Sequence, residues 1–254
     1  MARPSIEVRP LAKRWLVSAM LLAMACASPR DHDAPIVPEG LQVSALPGGN
    51  GVLELSALTL RRGASNLEVY AELANVGDVE ACSAALSIEL FDARGQSLAA
   101  GIGGVLTQQL YRWRDGSNAI AACIGPGEVA MAGVTELPED LTLEDVAQIV
   151  YRCPYFALDV IRIEGPSVRG LQRVSGAAGT SYTGTLVNQL DVAVRNPSVT
   201  VFPISRAGRP LGSAIGSSAI VLAPGAQWAF ETSSVDEAGV DQLAYPAGAI
   251  GDVR

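Results

Sequence analysis

Lysine, histidine, aromatic side chains and long apolar runs are all scarce in this chain, and each scarcity removes a class of function. Lys13 is the single lysine and His32 the single histidine among 254 residues. His32 lies in a stretch rich in Pro, Gly and Asp, where nothing holds it within hydrogen-bond reach of a nucleophile. Ser-His-Asp and Cys-His catalysis and His-based zinc sites are therefore not expected, and Asp31-His32-Asp33 reads as solvated charge. Aromatic residues make up 5% of the chain, so its cores must rest on Val, Leu, Ile and Ala. There is no G-x-S-x-G, no Walker loop and no EF-hand spacing. Gly48-Gly-Asn-Gly51 leads into a strand and reads as a hinge, and Gly101-Ile-Gly-Gly104 lacks the last glycine of a dinucleotide fingerprint. No cofactor and no metal are expected.

What is present begins at the N-terminus. Arg3, Arg9, Lys13 and Arg14 precede the eleven-residue apolar run Trp15–Ala25, and small residues lead into Cys26. The run is short of the roughly 20 residues that span a membrane. Its charge, length and small-residue end are those of a secretory signal. Ala23-Met24-Ala25-Cys26 resembles the bacterial lipoprotein box, with Leu22 one place further from the cysteine than usual. That resemblance implies cleavage before Cys26 and acylation of its thiol. Ala23 and Ala25 also meet the A-x-A rule of ordinary secretion, which leaves a soluble secreted product as the alternative. Ala27, in place of an Asp after the cysteine, implies the outer membrane of a bacterial envelope. The net charge is −8, and residues 1–25 carry a net +3, so residues 26–254 stand near −11. An acidic chain repels phosphate backbones, which argues against nucleic acid.

Residues 26–51 are rich in Pro, Gly and Asp and carry no periodicity, so they are expected to form a lipid-anchored, disordered tether. The body then repeats itself at an offset of 113 residues. Leu73-Ala74-Asn75 corresponds to Leu186-Val187-Asn188, and the Asp92–Leu98 stretch to Ser205–Leu211. Each copy reaches a Pro-Gly turn (Pro126-Gly127, Pro224-Gly225) and then a V-x-Q-x-x-Y segment (Val146 to Tyr151, Val240 to Tyr245). Copy one carries about 15 extra residues between Leu98 and Pro126.

Leu67, Val69, Ala71 and Leu73 alternate with Glu68, Tyr70 and Glu72, and Leu86, Ile88 and Leu90 alternate with Ser87 and Glu89. Period two means half-buried strands, and short strands between turns mean an antiparallel sandwich. Thr142-Leu-Glu-Asp145 and Ser234-Val-Asp-Glu237 read as capping boxes that open a turn or two of helix. Ile88-Glu-Leu-Phe-Asp92, with Gly95 in the following turn, resembles the motif of the bacterial FxLYD family of immunoglobulin-like envelope domains. Copy two departs from it, with Val201-Phe-Pro-Ile-Ser205. The resemblance implies an all-β fold, an envelope location and no active site. The expected organisation is a signal peptide (1–25), the tether (26–51) and two immunoglobulin-like β-sandwich domains (52–158 and 159–254).

Cys82, Cys123 and Cys153 lie in or beside copy one. In an oxidising compartment one disulfide is expected, and three pairings are open. If residues 104–112 form an extra strand, Cys82–Cys123 is favoured; without that strand, Cys123–Cys153 is the more natural pair. Tyr111-Arg112-Trp113-Arg114, in the insertion, combines aromatic and Arg side chains and is the candidate contact patch. Its bland alternative is a β-hairpin whose aromatics pack on the sandwich. Glu136, Glu139, Asp140, Glu144 and Asp145 form an acidic stretch. Paired carboxylates could serve an envelope hydrolase; a solvated loop and helix start is the plainer reading. The expected function is a non-enzymatic envelope lipoprotein for binding or spacing, its partners the membrane through Cys26 and an envelope protein.

Overall fold

The computed structural model describes residues 40–48, 51–63, 65–115, 119–176, 179–205, 209–235, 240–244 and 250–253. The signal, Cys26 and His32 lie outside these residues, as do Gly208, Tyr245 and the second half of the Ser234–Glu237 capping box. The chain is all-β. Copy one contributes β1 (Gln42–Ala45), β2 (Leu53–Arg62), β3 (Leu67–Asn75), β4 (Ala81–Cys82), β5 (Ala85–Phe91), β6 (Ser97–Gly104), β7 (Gln109–Trp113), β8 (Ile120–Ile124), β9 (Val129–Val134), β10 (Gln148–Arg152) and β11 (Phe156–Ala157). There follow β12 (Val160–Arg162), β13 (Ser167–Gly176), β14 (Gly179–Val187), β15 (Val194–Ser205), β16 (Ala214–Ser217), β17 (Val221–Leu222), β18 (Gln227–Glu231), β19 (Val240–Ala244) and β20 (Ile250–Val253). The first capping box forms: the Asp145 carboxylate accepts from the Thr142 N–H (3.1 Å) and hydroxyl (2.7 Å) at the head of a single 3-10 turn.

The repeat is visible as matching strand register. In copy one β2-β3-β9 form one sheet and β10-β5-β6 the heart of another. In copy two β13-β14-β18 form the first sheet, and β15 pairs with β16 on one side and β19 on the other. Ile88 faces Gly101 as Val201 faces Ala214. Gln148 faces Phe91 as Gln242 faces Ile204. Ile88, Gly101 and Phe91 map onto Val201, Ala214 and Ile204 through the 113-residue offset, and Gln148 corresponds to Gln242 through the shared V-x-Q-x-x-Y segment.

The shared asparagine shows why that residue recurs. Asn75 and Asn188 are buried at the ends of β3 and β14. Asn75 Nδ2 donates to the carbonyls of Val79 and Ile124, both at 2.8 Å, and its Oδ1 accepts from the Gly77 N–H at 3.0 Å. Asn188 Nδ2 donates to Val192 and Leu222, both at 2.9 Å, and its Oδ1 accepts from Leu190 at 3.0 Å. The Pro-Gly turn closes on the same residue: the N–H groups of Gly127 and Gly225 donate to the carbonyls of Asn75 and Asn188 (2.9 and 2.8 Å). Both glycines take φ near +75° (74° and 75°), a conformation that side chains with a Cβ resist. One amide thus satisfies three backbone groups at the end of each sandwich, among them the buried carbonyls of Ile124 and Leu222, and a buried group left unpaired costs about 1–3 kcal/mol.

The core of copy one is built from the inward phase of the alternation: Leu53, Leu60, Val69 and Leu73 from one sheet, and Leu86, Leu90 and Ile149 from the other. That of copy two uses Tyr182, Leu186, Val199, Val201, Leu222 and Phe230. Each fully buried aliphatic side chain contributes about 1.5–3 kcal/mol, so either core suffices for a stable sheet pair.

Three features depart from the sequence reading. Gln42–Ala45, assigned to the tether, form β1 and lie parallel to β10. Val160–Arg162, assigned to domain 2, form β12 and pair with β7 of copy one. Residues 32–254 stay together as one compact unit. The reason is an apolar seam. Tyr70 and Met131 of copy one meet Phe202 and Ile204 of copy two in a separate buried cluster. Tyr70 and Phe202 pack edge to face, ring centres 6.3 Å apart. Leu110, from the insertion, is buried in the core of copy two.

Candidate functional site

The inserted strand is where the sequence placed its contact patch. β7 lies between β8 and β12 in a five-stranded sheet of order β11-β4-β8-β7-β12. It is therefore an interior strand, and its successive side chains Leu110 and Tyr111 are buried on opposite faces. Leu110 enters the core of copy two, and Tyr111, 4% exposed, packs with the disulfide and Val160. Burial and the nearby Glu128 carboxylate push the Tyr111 phenol up from its ordinary value. Arg112 pairs with Asp191 of copy two at 2.8 Å, Arg114 pairs with Asp159 at 2.9 Å, and Trp113 is half-buried against the Tyr111 cluster. The four residues do not form one open surface. β12 pairs with the edge of β7, Tyr111 faces inward, Arg112 and Trp113 are half-buried, and Arg114 is exposed.

The same insertion sets the disulfide. Cys82 and Cys123 face each other across β4 and β8 and are bonded. The extra strand β7 holds β8 in that position. Cys153 is buried in the core of copy one, and burial pushes its thiol up to about 12. A thiol held protonated in this way is a poor nucleophile. The corresponding pair in copy two is Arg195 and Val221, which face each other across β15 and β17.

Glu136, Glu139, Asp140, Glu144 and Asp145 are all exposed. The Asp145 carboxylate caps the 3-10 turn. Hydrogen bonds from the Thr142 side chain and N–H hold it below the usual carboxylate range, so its charge serves the cap. Among the described residues no group of three or more His, Cys, Asp or Glu could hold a metal ion.

Two concavities lie among the described residues. One, of about 390 Å³, opens beside β7 and β12, lined by Gln109, Arg162, Ile163, Glu164, Gly165 and Gln189. Arg162 is already paired with Glu128, whose other oxygen accepts from the Gly125 N–H (2.8 Å). The other, of about 260 Å³, runs over the outer face of the β1-β10-β5-β6 sheet, between Leu46, Glu89, Ala100, Val150 and Arg152.

The residues that the sequence reading passed over are those of the seam. Tyr70 falls on the outward phase of β3 yet is 3% exposed. Its hydroxyl donates to Glu68 Oε2 (3.1 Å) and lies 3.4 Å from Ser213 Oγ of copy two. Burial, then the Glu68 charge, push its phenol up to about 12. Arg61 pairs with Glu68 (3.2 Å) and donates to the Leu211 carbonyl of copy two. The available signal was Val201-Phe-Pro-Ile-Ser205, where apolar residues occupy both phases of one strand, the mark of a strand covered on both faces.

No family model matches the chain, and no curated protein sequence matches it.

Proposed function

We propose that this protein is a non-enzymatic lipoprotein of the bacterial cell envelope that displays a pair of immunoglobulin-like units for binding or spacing. The observation that carries the reading is the basic, apolar and small-residue sequence that ends at Cys26. The resemblance of Ile88–Asp92 to the FxLYD motif supports the same compartment. One acyl chain holds a protein only reversibly, and a second makes the attachment stable, at about 0.8 kcal/mol per buried CH₂. Diacylglycerol on the Cys26 thiol supplies two. Ala27 after the cysteine favours the outer membrane, and the partner is another envelope protein.

The seam supports spacing as much as binding. Two units joined through buried aromatic contacts hold a fixed geometry, so the pair acts as one rigid body at the end of a tether. The test is fractionation of cells that make the chain or its Cys26→Ser variant. The wild type is expected in the membrane fraction and released by detergent, and the variant in the soluble fraction. Both proteins in the soluble fraction would overturn the lipid anchor and leave a secreted module.

A further inference from the structure

We infer that the outer edge of β10 is an acceptor site for an extended strand, closed in this structure by the chain's own residues Gln42–Ala45. The pairing is parallel, with Gln42 opposite Gln148 and Ala45 opposite Tyr151. It rests mainly on backbone hydrogen bonds. The Gln42 N–H donates to Ala147 (3.0 Å) and the Leu46 N–H to Tyr151 (2.7 Å). All four side chains of β1 are exposed, and the one side-chain bond along it is a long one, 3.4 Å from Gln148 Nε2 to Ser44 Oγ. Leu41 alone reaches the core.

Copy two offers a comparison for this edge. β19 is the register equivalent of β10, and among the described residues it pairs with β15 alone. The residues 113 further on from β1 are 155–158, and Phe156 and Ala157 among them are used elsewhere, as β11 against β4. Among the described residues, the edge of β10 is closed by β1, and no strand is placed on the matching edge of β19. The β1 strap ends at Pro47 and Gly48.

The groove beside the strap gives the site a preference. Leu46, directly after β1, lines the concavity of about 260 Å³ together with Ala100 and Val150, and Glu89 and Arg152 flank it. The occupant that fits is an extended segment of a partner protein, parallel to β10. It would carry a large aliphatic residue at the place of Leu46 and no proline at the donor positions. Backbone pairing supplies affinity and the groove supplies selection, the general logic of strand addition. The inference does not depend on how the chain is anchored.

The experiment uses the full chain and a fluorescent peptide with the sequence of residues 40–47. Ser44 lies between the two donors on the same side of the strand, so Ser44→Pro removes a donor from the ladder and opens the edge. The variant is expected to bind the peptide at least about tenfold more tightly than the wild type, whose strap leaves the edge open only part of the time. A peptide with Leu46→Asp should lose that binding. Equal or absent binding to the two proteins would overturn the inference, as would undiminished binding of the Asp peptide. Loss of the fold in Ser44→Pro, read by circular dichroism, would also overturn it, because the sandwich would then need β1.

Discussion

The two copies share a scaffold and differ where they face each other. Both have the buried asparagine, the Pro-Gly turn that closes on it, and the same register between the strands. The hairpin turn is shared in function as well. Asp92 Oδ1 accepts from the N–H groups of Arg94 and Gln96 (both 2.8 Å), and Ser205 Oγ accepts from Arg209 (3.1 Å). At the seam the copies diverge. The position of Glu89, on the outer face of copy one, is taken by the buried Phe202 in copy two. The position of Tyr70, buried at the seam, is taken by the half-buried Thr183. Copy one is also cross-linked between β4 and β8, where copy two has Arg195 opposite Val221. The asparagine, its turn and the strand register are alike in the two copies, whereas the seam positions and the cross-link are not.

The strongest way to break the comparison is at the seam. Phe202→Ala should cost about 3–5 kcal/mol, the range for a large aromatic removed from a closed core, and should separate the unfolding of the two copies. Calorimetry reads both effects. Glu89→Ala, at the matching position, should leave the thermogram nearly unchanged. Next in size is the cross-link: replacing Cys82 and Cys123 by Ser opens a loop with a sequence separation of 41 residues. Loop entropy sets that loss at about 4 kcal/mol, measurable as a shift in the denaturation midpoint. The asparagines come third. Asn75→Ala and Asn188→Ala should each cost about 2–3 kcal/mol by leaving buried carbonyls unpaired, and the two losses should agree within about 1 kcal/mol if the sites are equivalent. A much larger loss at one of them would show that the copies lean on this residue unequally.

The smallest effect is one of pH. The phenol of Tyr70 is raised from 10.0 to about 12 in the folded chain. Its contribution is therefore complete below pH 10 and is lost as the pH rises toward 12. Cys153, raised from 9.0 to about 12, adds a decline that starts one unit lower. Tyr70→Phe should remove the steeper part above pH 10 and leave the earlier part, as read by urea titrations between pH 8 and 11.5. Thr183, at the matching place in copy two, contributes no such dependence.

Much of this was legible in the sequence, because alternation and spacing record local burial. The strands of both cores, the 113-residue offset, the inserted strand and the condition it set on the Cys82–Cys123 pair all follow from such patterns. β1 was not legible: four residues with every side chain in solvent leave no alternation to read. β12 was missed because its pairing with β7 is decided by the insertion and not by its own three residues. The separate surroundings of Tyr111 to Arg114 were not legible for a related reason. Tyr111 to Arg114 have the composition of an interface, and they do serve one, but Arg112 meets Asp191 of the same chain. Composition cannot tell an internal contact from an external one.

The tryptophans offer the most direct test of the central claim, that two repeats fold as one body. After Trp15, the chain has Trp113 in the insertion of copy one and Trp228 on β18 of copy two, the latter 5.8 Å from Phe230 between ring centres. Trp228→Phe leaves a reporter in copy one and Trp113→Phe leaves one in copy two. Unfolding each variant in guanidinium, followed by tryptophan fluorescence, should give coincident midpoints and slopes. Two well-separated transitions, one for each reporter, would contradict the rigid pair and leave two domains that merely touch.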